Sequence, residues 1–359
     1  MYGGFLMKNK LKSIFKVCFV IIGTIIGAGF ASGKEINLFF NTYRWWGIVG
    51  FIINCIFFSI IIYKVFNISK ILKISNYSEF LKSVNPKYSK FMKITISLFL
   101  IVSFYIMIAG MGAYFKQQFG ISQWITSIIM SFICYIILQK NINGIISLNN
   151  LLVPFIILFI IFLGMKNIGF TMNQIKYAKI LEFQSMNFFF SSILYASYNS
   201  LILIPILVEL QEKINSNKEN IMVSLICLII LLALGLSIIF LLESGGKCLK
   251  NIELPMLEIV KKFGKVNQYL YGIVMVIAIL TSAIASGYSF SNNSKGKAYS
   301  YKIKLFVMCS LAPLISQIGF SKLIEFLYPI FGILGLWQIY NIFSYTIRND
   351  KIKSIEKKL

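Results

Sequence analysis

Long apolar stretches without a single charged residue dominate this 359-residue chain. A charge is costly at the centre of a bilayer, and about 20 apolar residues are needed to cross it. Ten stretches meet this length, and they are residues 17–33, 45–63, 94–115, 117–139, 141–165, 183–208, 220–242, 266–294, 305–321 and 326–347. They lack the alternation of barrel strands, so they predict ten transmembrane helices in an all-α polytopic membrane protein.

Composition points away from a soluble enzyme. Hydrophobic residues make up 58% of the chain and charged residues 13%, histidine is absent, and Asp350 is the only aspartate. Histidine-based catalysis, histidine metal sites and most paired-carboxylate chemistry are therefore removed, and we predict a protein that is not an enzyme. The net charge of +23 comes from lysines and arginines that punctuate apolar runs. This pattern predicts contact with membrane lipids and no nucleic-acid partner.

The distribution of lysine and arginine predicts the orientation in the membrane. With the amino terminus inside, 23 of the 35 basic residues fall on the inner side. Cytoplasmic segments of membrane proteins carry this excess of positive charge. We therefore expect a multi-pass protein of the plasma membrane with both termini in the cytoplasm.

The ten predicted helices fall into two groups of five. The polar interval 166–182 separates them. If the groups are repeats, an odd number of spans in each makes them cross the membrane in opposite senses, as in inverted-repeat transporters. We predict a single transporter domain, 1–359, with repeats at about 11–165 and 183–347 and a cytoplasmic tail at 348–359.

Glycine interrupts the first predicted helix. Four glycines lie within the eleven residues 23–33. Glycine weakens a helix interior and lets the backbone unwind or approach a ligand. A helix broken halfway across the bilayer exposes peptide groups for a solute, and we expect substrate contacts at Gly27, Ala28 and Gly29. The alternative explanation is close helix packing through small residues.

The sixth predicted helix carries the matching signal in the second group. Seven of the ten side chains in residues 191–200 hold polar atoms. Such groups are costly in lipid, so we expect them to face a cavity beside a second broken helix. The candidate substrate residues are Ser192, Tyr195, Ser197, Tyr198 and Asn199.

The eighth predicted helix contains two adjacent hydroxyl side chains, Thr281 and Ser282. With the small residues around them, they indicate an oxygen cage for a monovalent cation. The alternative is that both hydroxyls bond back to carbonyl groups of their own helix.

Residues 23–35 resemble the signature of the YkvI-like membrane proteins, distant relatives of the amino acid, polyamine and organocation transporters. The resemblance covers essentially the whole chain. It implies a LeuT-like fold with two inverted five-helix repeats, broken first and sixth helices, and a role in secondary transport.

A finer similarity is to sodium-coupled amino acid symporters of that fold. Their first helix, G-N-A-V-G-L-G-N, matches residues 23–30, and their eighth, A-G-L-T-S-S-I-A, matches 278–285. This similarity implies a sodium site formed by the carbonyl groups of Gly23, Ile26 and Ala278 and the hydroxyl groups of Thr281 and Ser282.

Departures from the symporter pattern limit the coupling ions. Phe30 stands where the symporters have an asparagine that binds a second sodium ion, which argues against a second ion. No carboxylate or histidine lies within any of the ten stretches, so a proton has no obvious carrier and sodium is favoured. Glu35 and Glu209, at the ends of the first and sixth stretches, are expected to pair with nearby lysines.

The substrate is expected between the two broken helices, facing the third. Tyr105, which resembles a substrate-contacting tyrosine of the symporters, is the candidate there, with Gly110 and Gly112. With no cationic side chain in the cavity, a small zwitterion, amine or neutral metabolite is expected. We predict a sodium-coupled secondary active transporter of a small organic solute. The alternatives are an uncoupled uniporter or exchanger and a sensor or scaffold that has lost transport.

Overall fold

The computed structural model of the chain describes residues 2–139, 153–167, 187–245, 252–292 and 298–356. Side chains are described for residues 10–139, 153–167, 187–245, 252–291 and 301–345. Within these ranges the chain is helical apart from short turns, as predicted. The predicted interval 166–182, and residues 141–152 of the fifth stretch, lie largely or wholly outside the described residues.

Fourteen helices are described within these ranges. They are α1 (Tyr2–Ile25), α2 (Ala28–Ala31), α3 (Lys34–Phe39), α4 (Trp45–Leu72), α5 (Tyr77–Val84), α6 (Ser89–Phe119), α7 (Gln123–Gln139), α8 (Val153–Asn167), α9 (Asn187–Leu210), α10 (Asn217–Gly245), α11 (Pro255–Lys261), α12 (Lys265–Asn292), α13 (Ala298–Ser316) and α14 (Phe320–Glu356).

Six of these helices are long and apolar enough to cross a membrane. They are α4, α6, α9, α10, α12 and α14. Helices α7 and α8 are shorter apolar helices. These lengths and compositions are those of a multi-pass membrane protein.

The first apolar stretch and the residues that follow it form three helices. Helix α1 ends at Ile25, and Gly27 adopts an extended conformation with φ −82° and ψ −176°. Helix α2 is a single turn, after which Gly33, at φ 75°, reverses the backbone and starts α3. The left-handed conformation of Gly33 is one that residues with a Cβ rarely adopt.

The predicted break in the sixth apolar stretch is wrong, because α9 runs without interruption from Asn187 to Leu210. Its polar side chains bond to their own helix: the Ser197 hydroxyl donates to the carbonyl of Ile193 at 2.7 Å, and the Asn199 amide donates to the carbonyl of Tyr195 at 3.0 Å. Backbone carbonyls one turn earlier thus satisfy these groups without unwinding the helix.

Two short helices cover the ends of the bundle. The sequence predicts an amphipathic surface segment at 67–90; there α5 buries Phe80 and Leu81 against α6, α9 and α14. Helix α11 falls within 247–266, where a helical hairpin is expected; residues 246–251 lie outside the described part of the chain.

The long helices pack around the first one. Helix α9 packs against α4 and α14, α12 packs against α6, and α10 packs against α4. Helix α1 contacts α9 and α10, whereas α2 contacts α12, and α3 contacts α9, α10 and α14. The interrupted first stretch therefore lies inside the bundle, where its unpaired backbone groups face protein rather than lipid.

Candidate functional site

The interruption between α1 and α2 leaves backbone groups without hydrogen bonds. Among residues 2–139, no hydrogen bond is made by the amide groups of Ala28, Gly29 and Phe30 or by the carbonyls of Gly23, Thr24 and Ile26. A Cβ added at Gly27 would have no atom within 4 Å, so space is open beside this residue. Unpaired peptide groups next to open space form a site that can bind a polar solute or a cation.

A buried carboxyl group lies near this interruption. Glu35, on α3, is only 3% exposed. Its Oε2 accepts a hydrogen bond from the Tyr198 hydroxyl at 2.6 Å and a longer one from the Tyr195 hydroxyl at 3.4 Å. The Tyr328 hydroxyl also interacts with this carboxyl group. We call Glu35, Tyr195, Tyr198 and Tyr328 the carboxyl cluster.

Aromatic rings enclose the carboxyl cluster. The ring of Tyr198 lies 4.5 Å from that of Tyr328 and 5.6 Å from that of Phe39, centroid to centroid. Phe99 of α6 closes another side, 6.3 Å from Tyr198. All of these side chains are buried, so the cluster joins α3, α6, α9 and α14 around one acidic group.

Gly29 provides the space that the Glu35 side chain occupies. A Cβ at Gly29 would lie 2.5 Å from Cδ of Glu35 and 2.7 Å from its Cγ, and closer still to Oε1. Gly29 therefore contacts the carboxyl group, and its predicted contact with substrate stays a prediction. A residue without a side chain is needed at position 29 because α2 and the Glu35 side chain of α3 approach each other closely there.

Among the described residues, Glu35 does not form the expected pair with a lysine. Lys34, the adjacent residue, pairs with Glu325 of α14 at 2.9 Å. The Lys34 side chain is 5% exposed and that of Glu325 is 48% exposed, so the pair links the buried first helix to the surface of α14. Glu209, the other carboxylate expected to pair, is exposed, and no ion pair joins it to another described residue.

Two further contacts fix the turn between α2 and α3. The Tyr271 hydroxyl of α12 donates to the carbonyl of Ala31, and the amide of Met256 on α11 donates to the carbonyl of Ser32 at 3.0 Å. The Ser32 hydroxyl accepts from the amide of Lys34, the first residue of α3, at 3.2 Å. These bonds hold the second part of the first stretch against α11 and α12.

The residues of the predicted sodium site come from α12 and from the end of α1 with the residue that follows it. Ala278 and Thr281 are buried and Ser282 is half-buried on α12. The Thr281 hydroxyl donates to the carbonyls of Ile277 and Ala278, at 2.9 and 3.1 Å, which leaves its oxygen lone pairs available.

The first-helix part of the sodium site provides the unpaired carbonyls of Gly23 and Ile26. A Cβ at Gly23 would lie 2.7 Å from Val153 of α8. No hydrogen bond joins Thr281 or Ser282 to α1 among the described residues, and the assembled site stays a prediction.

The predicted substrate residues of α9 divide into two groups. The hydroxyls of Tyr195 and Tyr198 point into the carboxyl cluster. Ser192 lies against Gly50 of α4, where a Cβ would be 2.6 Å from its hydroxyl, and bonds to the carbonyl of Phe188 at 2.7 Å. Ser197 faces α14, and, like Asn199, it bonds to its own helix.

The candidates on α6 do not face the carboxyl cluster. Tyr105 is buried and lies close to Cys309 of α13. Gly110 lies against Phe320, and Gly112 against α7. The α6 residue that contacts the cluster is Phe99, which the sequence reasoning did not select.

Glu35 is the residue that the sequence reasoning missed most clearly. Counting apolar residues between charges ended the first stretch at Gly33, and Lys34 and Glu35 were placed outside it. The available signal was the apolar sequence that continues beyond these charges, with Ile36, Leu38, Phe39 and Phe40. None of the ten stretches contains a carboxylate, but the folded bundle buries one, that of Glu35.

The fold defined by these helices is that of LeuT-like secondary transporters. A manganese transporter of Eremococcus coleocola is similar with a TM-score of 0.63 at 11% identity, over 94% of this chain and 79% of that one. Mhp1 in an inward-facing conformation is similar with a TM-score of 0.60 at 14% identity, over 90% of this chain and 73% of Mhp1. A Na+-coupled sialic acid symporter is similar with a TM-score of 0.56 at 14% identity, over 90% of this chain and 76% of the symporter. At these identities the likeness shows the fold alone.

Two relatives come from Bacillus subtilis (strain 168). The membrane protein YkvI is 26% identical over 334 residues, which cover 92% of this chain and 95% of the relative. YyaD is 27% identical over 336 residues, with coverages of 91% and 95%. No family model matches the chain. The predicted resemblance to YkvI-like membrane proteins is confirmed by the first of these relatives.

Proposed function

We propose that this protein is a secondary active transporter that moves a small organic solute across the plasma membrane by alternating access. In this proposal both termini lie in the cytoplasm, and residues 1–359 form one domain of two inverted five-helix repeats. The first helix of the first repeat is broken at Ile26 and Gly27, and its counterpart α9 is continuous.

The observation that carries the proposal is the interruption at Ile26 and Gly27. It leaves peptide donors and acceptors unpaired beside open space, inside a bundle whose fold is shared with secondary transporters. A continuous helix would satisfy these groups internally, and backbone groups left unpaired away from water are costly. Contacts with a solute and an ion that bind in turn offset that cost.

The solute class follows from the groups around Gly27. Peptide amides and carbonyls bind neutral or zwitterionic groups, and the nearby carboxyl cluster disfavours an anion. The chain has no histidine and one aspartate, Asp350, so the ligand types that select a divalent metal are scarce. We therefore propose an amino acid, amine or similar metabolite as the cargo.

Sodium is the proposed coupling ion at the α1–α12 site. Carbonyl and hydroxyl oxygens suit a hard monovalent cation, and the carbonyls of Gly23 and Ile26 are unpaired. Thr281 and Ser282 would complete the set with the carbonyl of Ala278. This step in the proposal requires α12 and α1 to approach each other when the ion binds.

Thermal unfolding of the purified protein tests the proposal directly. We expect at least one member of a panel of amino acids, amines and neutral metabolites to raise the unfolding temperature, and to raise it more in sodium than in potassium. Ser282→Ala should remove the sodium-dependent part. Ser289→Ala, a change to a half-buried serine on the same helix, is the matched control and should retain it.

The outcomes separate the alternatives. Equal stabilisation in sodium and potassium, with uptake into proteoliposomes, would indicate a uniporter or exchanger. Failure of every solute to stabilise the protein, with no uptake, would refute the transporter function and favour a sensor or scaffold.

A further inference from the structure

Glu35 is a buried acidic group that neither the proposed solute site nor the proposed sodium site uses. It is 3% exposed, and its partners are hydroxyl groups rather than a cation. Ionisable residues inside membrane proteins are costly and are characteristic of ion and proton pathways. Glu35 packs against Gly29, which is two residues from Gly27, and this contact places Glu35 next to the interruption of the first helix.

The groups that face Glu35 come from three helices. They are Tyr195 and Tyr198 of α9 and Tyr328 of α14, with Cys55 of α4 close to Tyr195. Helix α6 contributes Phe99, which has no ionisable group. The nearby charged side chains interact with other groups: Lys34 with Glu325, and Glu243 of α10 with Arg44. No lysine or arginine of the described residues lies within ion-pair distance of Glu35.

The packing around Glu35 selects among the cations that could neutralise it. Tyr195 is 0% exposed, and Tyr198 and Phe99 are each 2% exposed, so aromatic side chains fill the surroundings of the carboxyl group. A sodium ion or an ammonium group would need these rings to move apart. A proton needs no volume, and it binds to the carboxyl group directly.

We propose that Glu35 takes up and releases a proton during the transport cycle, as a cation site separate from the α1–α12 sodium site. This inference rests on the proposed transport function. The step is a simple acid–base exchange: a proton from water forms an O–H bond on the Glu35 carboxylate, and the same bond breaks to return the proton to water. The open space beside Gly27 can hold that water.

Proton binding would change how α3 is held. The ionised carboxylate accepts charge-assisted hydrogen bonds from Tyr198 and Tyr195, and such bonds are about twice as strong as neutral ones. Protonation removes the charge and weakens the contact of α3 with α9 and α14. The protonation state of one residue therefore controls the attachment of the first helix to two others.

Infrared difference spectroscopy of the purified protein in lipid nanodiscs tests this proposal without any solute. We expect a carboxylic acid C=O band that appears on acidification and disappears on alkalinisation between about pH 5 and about pH 9. Glu35→Gln should remove this band. Glu35→Asp should keep a titrating band at a different frequency, and Tyr198→Phe should shift the frequency because the hydrogen bonding of the carboxyl group changes.

Glu209→Gln is the matched control, since it changes an exposed carboxyl group on α9 and should leave the band intact. Two results would overturn the proposal: identical spectra for the wild type and Glu35→Gln at every pH, or a Glu35 band that persists unchanged through the whole range. Neither result tests the proposed transport function, because the uptake and stabilisation assays do not depend on this band.

Discussion

Gly29→Ala should displace the Glu35 side chain and break its hydrogen bond with Tyr198. The new Cβ would lie 2.5 Å from Cδ of Glu35 and closer still to Oε1, so the carboxyl group must retreat by at least about 0.9 Å to reach the 3.4 Å limit of ordinary contact. The 2.6 Å bond from Tyr198 would then exceed the usual range of about 2.5–3.0 Å for hydroxyl donors. Hydrogen bonds to charged groups contribute ~1.5–3 kcal/mol, and we expect a loss of this size in the free energy of unfolding.

The assay is reversible unfolding of the purified protein, arranged as a double-mutant cycle with Glu35→Ala. Alanine at position 35 removes the carboxyl group that the new methyl would meet, so Gly29→Ala should then have little effect. Gly27→Ala is the matched control, because a Cβ there has no atom within 4 Å and Gly27 has a negative φ. An equal loss from Gly29→Ala with and without the Glu35 side chain would refute the reasoning.

Three further predictions concern contacts of the same helices. Tyr198→Phe should lower the free energy of unfolding by ~1.5–3 kcal/mol and Tyr195→Phe by less, because their hydroxyl distances to Glu35 are 2.6 and 3.4 Å; equal effects in denaturant titrations would contradict this order. Glu325→Gln should lower the free energy of unfolding by ~1–3 kcal/mol, because it leaves a buried lysine unpaired. Lys34→Met leaves an exposed carboxylate instead, so in the same assay it should lower the free energy of unfolding by under about 1 kcal/mol. Gly335→Ala should cost ~1–3 kcal/mol, because its Cβ would lie 2.7 Å from a backbone carbonyl carbon of α9; wild-type thermal stability would contradict this close helix contact.

The interruption of the first helix could be predicted from the sequence because its cause is local. Glycine at positions 23, 27, 29 and 33 removes side chains that would favour a helix, and Gly33 adopts a conformation that suits glycine. The same logic explains the incorrect break in α9. Residues 191–200 are polar but contain no glycine, and their hydroxyl and amide groups bond to carbonyls of the same helix. Polarity alone therefore does not predict a break.

The carboxyl cluster could not be predicted from the sequence because its partners are distant in the chain. Tyr195 is 160 residues from Glu35, and Lys34 pairs with a residue on the last described helix. Counting charge-free residues treats every charge as unpaired and places it outside the membrane. Two adjacent charges can enter the bundle when a hydroxyl pair and a carboxylate compensate them, and only the tertiary fold brings these groups together.

The attachments of the first helix differ on the two sides of its interruption. On α1, the described ion pair and the described hydrogen bond to another helix both go to α10: Lys10 pairs with Glu219 at 2.7 Å, and Cys18 donates to the carbonyl of Val223. On α2 and α3, the bonds go to α9, α11, α12 and α14. Because Ile26 and Gly27 lie outside both helices, rotation about their backbone bonds can move α1 with α10 without breaking a described hydrogen bond or ion pair of α2 or α3, although α3 also packs against α10. In the proposed cycle, the proton on Glu35 acts on the α3 side of this division and sodium on the α1 side, so the two ions bias different parts of one interrupted helix.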